Sequence, residues 1–142
     1  MKLNKPLIRK MIKRIETKPE TYYQGNYVVR GTNFNSWIKD GRPDPVCGTV
    51  ACLAGEAIIC SEKSIRKGIT KLVRLDNKGD TKDVAERLTG IGAWTGVFRA
   101  AAVDWPSPYR EQWDGAKTYK GKARAAVNLL KAILRTDGKI LE

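Results

Sequence analysis

The stretch Val46–Cys60, with the sequence VCGTVACLAGEAIIC, is the most apolar part of the chain and the part that decides the fold. It comes directly after a break at Pro43-Asp44-Pro45, and small residues dominate its first half. Neighbouring elements can approach a helix of this composition closely on several sides. The stretch therefore predicts a central, buried helix.

Amphipathic helices are predicted on both sides of this segment. Apolar residues recur at helical spacing from Leu7 to Ile15, with Pro6 suited to the first turn of a helix. A longer series from Ala123 to Leu134 is closed by Asp137-Gly138, which is a helix stop signal. Both predicted helices carry basic residues on the face opposite to the apolar one.

The remaining segments give shorter signals. In chain order, the patterns predict a short strand at Tyr27–Arg30, a helical turn near Ser36–Lys39, a turn at Asp76–Asp80, a short helix at Asp83–Leu88, a glycine-rich turn at Gly90–Gly96 and a helix at Thr95–Val103. The segment 64–75 fits neither the helical nor the strand period. We expect a mostly α single domain over residues 1–142, with five or six helices around a central helix rich in small residues.

The charge of the chain is large and unevenly distributed. Among 142 residues there are 27 Lys and Arg, 15 Asp and Glu and no His, for a net charge of +12. Residues 1–18 hold seven basic residues against one acid (+6), and residues 117–142 hold seven against two (+5), while 19–116 hold thirteen against twelve (+1). Almost all of the excess therefore lies at the two ends of the chain.

The basic helices are candidates for binding phosphate groups. Arg124, Asn128, Lys131 and Arg135 follow one another at i, i+4, i+7 and i+11, so they form one stripe on the last helix. Rows of Lys and Arg of this kind bind phosphate backbones and release counterions. The candidate phosphate ligands are Arg9, Lys13, Arg124, Lys131 and Arg135. The alternative is that both helices simply solvate their outer faces with basic residues, and the relative position of the two faces distinguishes these cases.

Aromatic residues occur close to these charges. Trp113 and Tyr119 precede the last helix, and exposed aromatic rings beside basic residues are stacking platforms for nucleobases. The alternative is that these rings belong to the core.

Glu56 is the lone charge between Cys47 and Cys60. In a buried helix its carboxylate needs a cationic or hydrogen-bonding partner, or it takes up a proton. An internal salt bridge to an arginine is favoured over a role as a general acid or a ligand anchor. We therefore place Glu56 in or beside a pocket, as a candidate ligand-binding residue.

Several function classes are disfavoured by composition. The absence of His removes Ser-His and Cys-His nucleophile pairs and histidine general bases. The three cysteines, Cys47, Cys52 and Cys60, lack a His to complete a zinc site, so we expect packing rather than metal binding, and no cofactor. Basic residues interrupt any signal-peptide core, and no apolar run reaches the roughly 18–20 residues that span a bilayer. The expectation is a cytoplasmic, non-enzymatic protein.

The residues Cys47-Gly48-Thr49-Val50-Ala51-Cys52-Leu53-Ala54-Gly55 carry one resemblance. They are similar to a C-G-T-x-x-C-x-A-G signature in small bacteriophage and bacterial proteins that have no assigned function. The match covers about ten residues, and Glu56 stands where those proteins have an aromatic residue. The resemblance implies a phage or bacterial setting, in the host cytoplasm if phage-encoded, and it implies no activity.

Together these features favour a protein that binds an anionic ligand, either a nucleic acid or a signalling nucleotide. With the resemblance, they suggest a phage counter-defence or host-takeover factor. A protein-protein inhibitor that docks on an acidic host protein is the alternative. A small enzyme such as a basic lysozyme is disfavoured, because no Glu is followed by an Asp at the spacing expected for that class.

Overall fold

A computed structural model describes residues 2–19, 22, 28–30, 49–99 and 102–142. This part of the chain is mostly helical. Its six α-helices are α1 (Lys5–Thr17), α2 (Leu53–Ser61), α3 (Ile65–Lys78), α4 (Thr81–Thr89), α5 (Tyr109–Gly115) and α6 (Tyr119–Thr136). The predicted mostly α class with five or six helices is confirmed, whereas the helical turn predicted near Ser36–Lys39 lies outside the described residues.

Helix α2 is the centre of the fold, as predicted. Every residue from Leu53 to Ile59 is buried, and the helix packs against α1, α3 and α4. Ala54 and Ala57 join the apolar core shared with α1 and α6, while Ile58 and Ile59 join a second apolar cluster with α3 and α4. Small residues on one face and larger ones on the other let α2 serve both clusters at once.

Within the apolar stretch, Thr49–Ala51 is extended rather than helical. The strand β2 (Thr49–Ala51) pairs antiparallel with β1 (Val28–Arg30), with Val29 opposite Val50. The strand predicted at Tyr27–Arg30 is therefore confirmed over Val28–Arg30, while Tyr27 lies outside the described residues. The central helix begins only at Leu53. β-branched residues at Thr49 and Val50 suit a strand, and a pairing partner distant in sequence made it possible.

Helix α1 is fixed at its start by Asn4. The Asn4 side-chain oxygen accepts a hydrogen bond from the Leu7 backbone N–H at 3.2 Å, and its amide donates to the Leu88 carbonyl at 3.0 Å. One side chain thus caps α1 and attaches it to the end of α4. The predicted apolar face is buried and consists of Leu7, Ile8, Met11, Ile12 and Ile15.

Helix α6 runs antiparallel to α1 and packs beside it. Lys5 at the start of α1 pairs with Asp137 after the end of α6 at 3.1 Å, and the last turns of α1 lie beside the first half of α6. Helix α5 folds back onto α6. As predicted, α6 ends at Asp137-Gly138, and both residues adopt left-handed backbone conformations.

The structure differs most from the predictions at helix α3, because residues 64–75 had no clear period and a turn was predicted at Asp76–Asp80. The helix continues through Asp76 to Lys78 and ends at Gly79 in a left-handed conformation, so a turn begins three residues later than predicted. The helical spacing of its apolar residues is interrupted at Gly68, which is buried against α2. A Cβ atom at this position would lie 2.5 Å from the Ile59 carbonyl oxygen. A glycine therefore occupies a contact position where the helical period leads one to expect a large apolar residue.

The helix predicted at Thr95–Val103 is wrong. Ala93–Thr95 form a single 3₁₀ turn, Gly96 has a positive φ of 70°, and the described residues among 97–104 form no α-helix. The Trp105 indole N–H donates to the Val97 carbonyl at 3.0 Å, which fixes the position of Val97 relative to Trp105.

Candidate functional grooves around the first helix

Helix α1 separates two surface grooves. The α1–α6 groove has a volume of about 550 Å³ and lies between the end of α1 and residues 120–131 of α6. The α1–α3 groove has a volume of about 330 Å³ and lies between the other flank of α1 and the junction of α2 with α3. Both volumes fall within the range of small-ligand sites.

The α1–α6 groove combines basic residues with a carboxylate. Lys120, Arg124 and Lys131 come from α6, and Ala123 and Val127 contribute apolar atoms to the lining. Helix α1 contributes Glu16, whose Oε2 lies 3.2 Å from the Lys131 Nζ. This carboxylate neutralises part of the positive charge and makes the groove less favourable for an anion.

The α1–α3 groove has a basic rim above aliphatic residues. Its lining includes Lys10, Lys13 and Lys18 from the α1 side and Lys63 from the α2–α3 junction, together with Glu62, which is paired with Lys71. The lining between them includes Ile59, Cys60 and Ile65, and Ile65 is 47% exposed although it is a large apolar residue.

Arg14 lies in the wall of this groove and binds Glu56 behind it. Glu56 is fully buried, the Arg14 side chain is 9% exposed, and the Arg14 Nε donates to Glu56 Oε2 at 2.6 Å. The predicted internal salt bridge between Glu56 and an arginine is confirmed. Because Glu56 is in the first turn of α2, the helix dipole also favours its charged form.

Burial beside Glu56 also changes the pKa of two cysteine thiols. It raises the pKa of Cys52 and of Cys60 from 9.0 to about 12, and the negative charge of Glu56 contributes to both shifts. Both thiols are therefore protonated at neutral pH, and the thiolate is the nucleophilic form of cysteine. The remaining cysteine, Cys47, lies outside the described residues.

Helix α3 adds basic residues that the sequence analysis did not identify. Arg66, Lys67 and Arg74 line a third groove of about 640 Å³, which shares Glu62 and Ser64 with the α1–α3 groove. We define the basic face as six of the exposed cations along these two adjoining grooves: Lys10, Lys13, Lys63, Arg66, Lys67 and Arg74. Within the described chain no ion pair joins any of the six to a carboxylate, and Glu62, which lines both grooves, is paired with Lys71 at 3.2 Å.

A signal for this face was present in the sequence. Lys67, Lys71, Arg74 and Lys78 follow at i, i+4, i+7 and i+11, which is one stripe of a helix, and Lys67 and Arg74 of this stripe belong to the basic face. It was obscured because the acids elsewhere in residues 19–116 cancel it in the segment charge.

The predicted phosphate ligands fall into separate places. Lys13 lines the α1–α3 groove, and Arg124 and Lys131 line the α1–α6 groove. Arg9 and Arg135 are exposed and line neither. The first and last helices do pack side by side, but the groove between them receives Glu16 from α1 rather than Lys13.

Trp113 and Tyr119 line neither groove. Trp113 is half-buried, with Lys122 Nζ 3.8 Å from its ring centroid and the Trp105 ring approaching at 6.4 Å and 71°. These contacts already occupy part of the ring as a cation-π and edge-to-face cluster. Tyr119 is half-buried at the start of α6.

Comparisons of this chain with protein-family models, with curated proteins and with solved structures gave no match. In the described part of the chain, no group of three or more His, Cys, Asp or Glu side chains is arranged to hold a metal ion. The helices within that part include none with the length and apolarity that a bilayer crossing requires.

Proposed function

We propose that this protein binds nucleic acid without sequence specificity, through the phosphate backbone and the basic face. The observation that carries the proposal is the set of six exposed cations on adjoining grooves, none of which is neutralised by a neighbouring carboxylate in the described chain. Phosphates displace condensed counterions when they meet such cations, and this release supplies most of the affinity of non-specific binding.

Two features favour the basic face over the α1–α6 groove as the main contact. The α1–α6 groove carries Glu16, and because its Lys131 is already paired, only Lys120 and Arg124 of its lining cations have no ion pair within the described residues. The basic face also adjoins a paired carboxylate, Glu62 with Lys71, but it keeps six cations beyond that pair. The basic face instead combines two helices, so a strand of regularly spaced phosphates can contact both α1 and α3.

The test is binding of a fluorescent 20-base-pair DNA, followed by anisotropy over a series of salt concentrations. Neutralisation of six phosphates predicts a slope of log K against log salt of about −5. The triple variant Lys63→Gln, Arg66→Gln and Lys67→Gln should lose about three phosphate contacts, with a slope shallower by nearly 3 and affinity reduced about tenfold or more.

The matched control is the triple variant Lys120→Gln, Arg124→Gln and Arg135→Gln. These three cations of α6 are also exposed, and the control removes the same net charge. Equal losses in both variants would show that only the total charge matters, and a larger loss in the control would assign binding to α6. A slope near zero for the unmodified protein would contradict polymer binding.

A compact signalling nucleotide would be recognised differently, by a rise in Tm through mass action at constant salt. Docking on an acidic protein surface would use the same cations but would leave the DNA unbound at low salt. The signature at residues 47–55 is the basis for extending the proposal to a counter-defence or host-takeover role in a bacterial cytoplasm. In this proposal the protein acts by binding and catalyses no reaction.

A further inference from the structure

The α1–α3 groove contains a feature that a phosphate backbone does not require. Next to its lysine rim lie aliphatic atoms of Ile59 and Ile65, and the exposed part of Ile65 is large for an apolar side chain. A polyanion can use the rim but gains nothing from these atoms, because burial of apolar surface needs an apolar partner.

Arg14 adds a recessed hydrogen-bond donor to this groove. A guanidinium carries five N–H donors, and within the described chain the Arg14 guanidinium has one acceptor, Glu56 Oε2, which Nε contacts. The Arg14 side chain is more than nine-tenths buried and lines the groove. Its terminal N–H groups are therefore held in place by the ion pair while they still have capacity for an anionic group.

We propose that the α1–α3 groove binds a single-chain anionic amphiphile, with its phosphate or carboxylate headgroup at Arg14 and the surrounding lysines, and its alkyl chain on Ile59 and Ile65. A ligand of this kind uses both the cationic and the aliphatic surfaces, whereas inorganic phosphate or a neutral alkane uses only one. A volume of about 330 Å³ suits a ligand of moderate size.

The composition of the groove favours this ligand over two others. Its described lining contains no aromatic ring, and unpaired nucleobases are usually held by stacking on such rings. A membrane surface is also a poor fit, because Arg14 and Ile59 are recessed, at 9% and 2% exposure, and a flat bilayer would reach Ile65 but not these residues.

The experiment is isothermal titration calorimetry of the full chain with four probes, of which the two anionic amphiphiles are kept below their critical micelle concentrations. These are octyl phosphate, octanoate, 1-octanol and inorganic phosphate. We expect saturable one-to-one binding of octyl phosphate or octanoate, with at least tenfold weaker binding of 1-octanol and of inorganic phosphate. The ratio of the dissociation constants of octyl phosphate and octanoate identifies the preferred headgroup.

Matched variants test the place of binding. Ile65→Ser should weaken binding of the amphiphile about tenfold, since roughly half of an isoleucine surface no longer contacts the chain. Val103→Ser is the control, because Val103 is equally exposed at 48% and lies outside the groove. Arg14→Lys, which keeps the charge beside Glu56, should weaken binding of the headgroup by a similar factor while the chain stays folded by circular dichroism.

Several outcomes would overturn the proposal. Equal binding by the Ile65→Ser and Val103→Ser variants would indicate unspecific adsorption of an amphiphile. If inorganic phosphate binds as tightly as octyl phosphate, Ile59 and Ile65 contribute nothing to binding and the proposal fails. Binding to phosphatidylglycerol vesicles without binding of the monomeric probes would assign the surface to membranes. None of these outcomes depends on DNA binding, so this inference and the proposed function can fail separately.

Discussion

The two flanks of α1 each carry an ion pair with a glutamate, and the two pairs differ in their surroundings. On the flank towards α2, Arg14 and Glu56 are 9% and 0% exposed and lie 2.6 Å apart. On the flank towards α6, Lys131 and Glu16 are 51% and 50% exposed and lie 3.2 Å apart. The same chemistry therefore has two consequences: the first pair is part of the core, and the second mainly sets the charge of a surface groove.

The difference arises because water screens the exposed pair and not the buried one. A buried ion pair adds little stability compared with apolar residues of the same shape, but removal of one partner leaves a charge without compensation. An exposed pair has weak attraction and loses side-chain entropy when it forms. Two predictions test this contrast and a third tests the close packing behind the buried pair, and they are given in order of decreasing expected effect.

Removal of the buried carboxylate should be severe. We expect Glu56→Ala to lower the free energy of unfolding by about 3–5 kcal/mol, because the Arg14 guanidinium then remains buried without its partner. Urea denaturation followed by circular dichroism measures this change. The double variant Arg14→Met and Glu56→Leu should recover much of the loss. A cost below about 1 kcal/mol for Glu56→Ala would show that the pair is not part of the core.

Close packing of α3 on α2 should have an intermediate effect. Gly68→Ala places a Cβ against the Ile59 backbone, so we expect a loss of about 1–3 kcal/mol in the free energy of unfolding. Gly115→Ala at the end of α5 is the control, since a Cβ there has no heavy atom within 4 Å and alanine favours the helix by up to about 1 kcal/mol. Similar urea midpoints for the two variants would contradict the close contact between α2 and α3.

Removal of the exposed carboxylate should change stability least. We expect Glu16→Gln to cost at most about 1 kcal/mol, and the effect should decrease as salt is added. It should nevertheless strengthen DNA binding on the α6 side, because Lys131 and Arg124 then face a phosphate without a competing anion. Glu62→Gln removes a carboxylate beside the basic face in the same way, so it should strengthen DNA binding on that side. A loss as large as that of Glu56→Ala would remove the distinction between the flanks.

The sequence was informative wherever an element is specified by its own periodicity. The apolar faces of α1 and α6 could be predicted because their contacts repeat every three to four residues, and the end of α6 carries its stop signal in Asp137-Gly138. The need of Glu56 for an arginine could also be predicted, since a carboxylate in an apolar helix requires a partner. Which arginine it is depends on the packing of α1 against α2.

Other features could not be predicted from local patterns. Gly68 replaces an apolar residue because the backbone of α2 occupies the space of its side chain, and a local window contains no information on that backbone. Thr49–Ala51 became a strand because a partner strand lies some twenty residues earlier in the chain. The Trp105 indole donates a hydrogen bond to the Val97 carbonyl, a contact between residues eight positions apart that no helical period predicts.

The sequence by itself determined the helical class, the amphipathic faces of the first and last helices and the excess of positive charge. The tertiary structure decided where that charge is available to a ligand. Charge is a property of each residue, but its effect depends on the distance to the nearest opposite charge and on the exposure of both groups. Packing placed Glu16 beside the cations of α6 and left the six cations of the basic face without an ion pair to a carboxylate among the described residues, so the basic face follows from the fold.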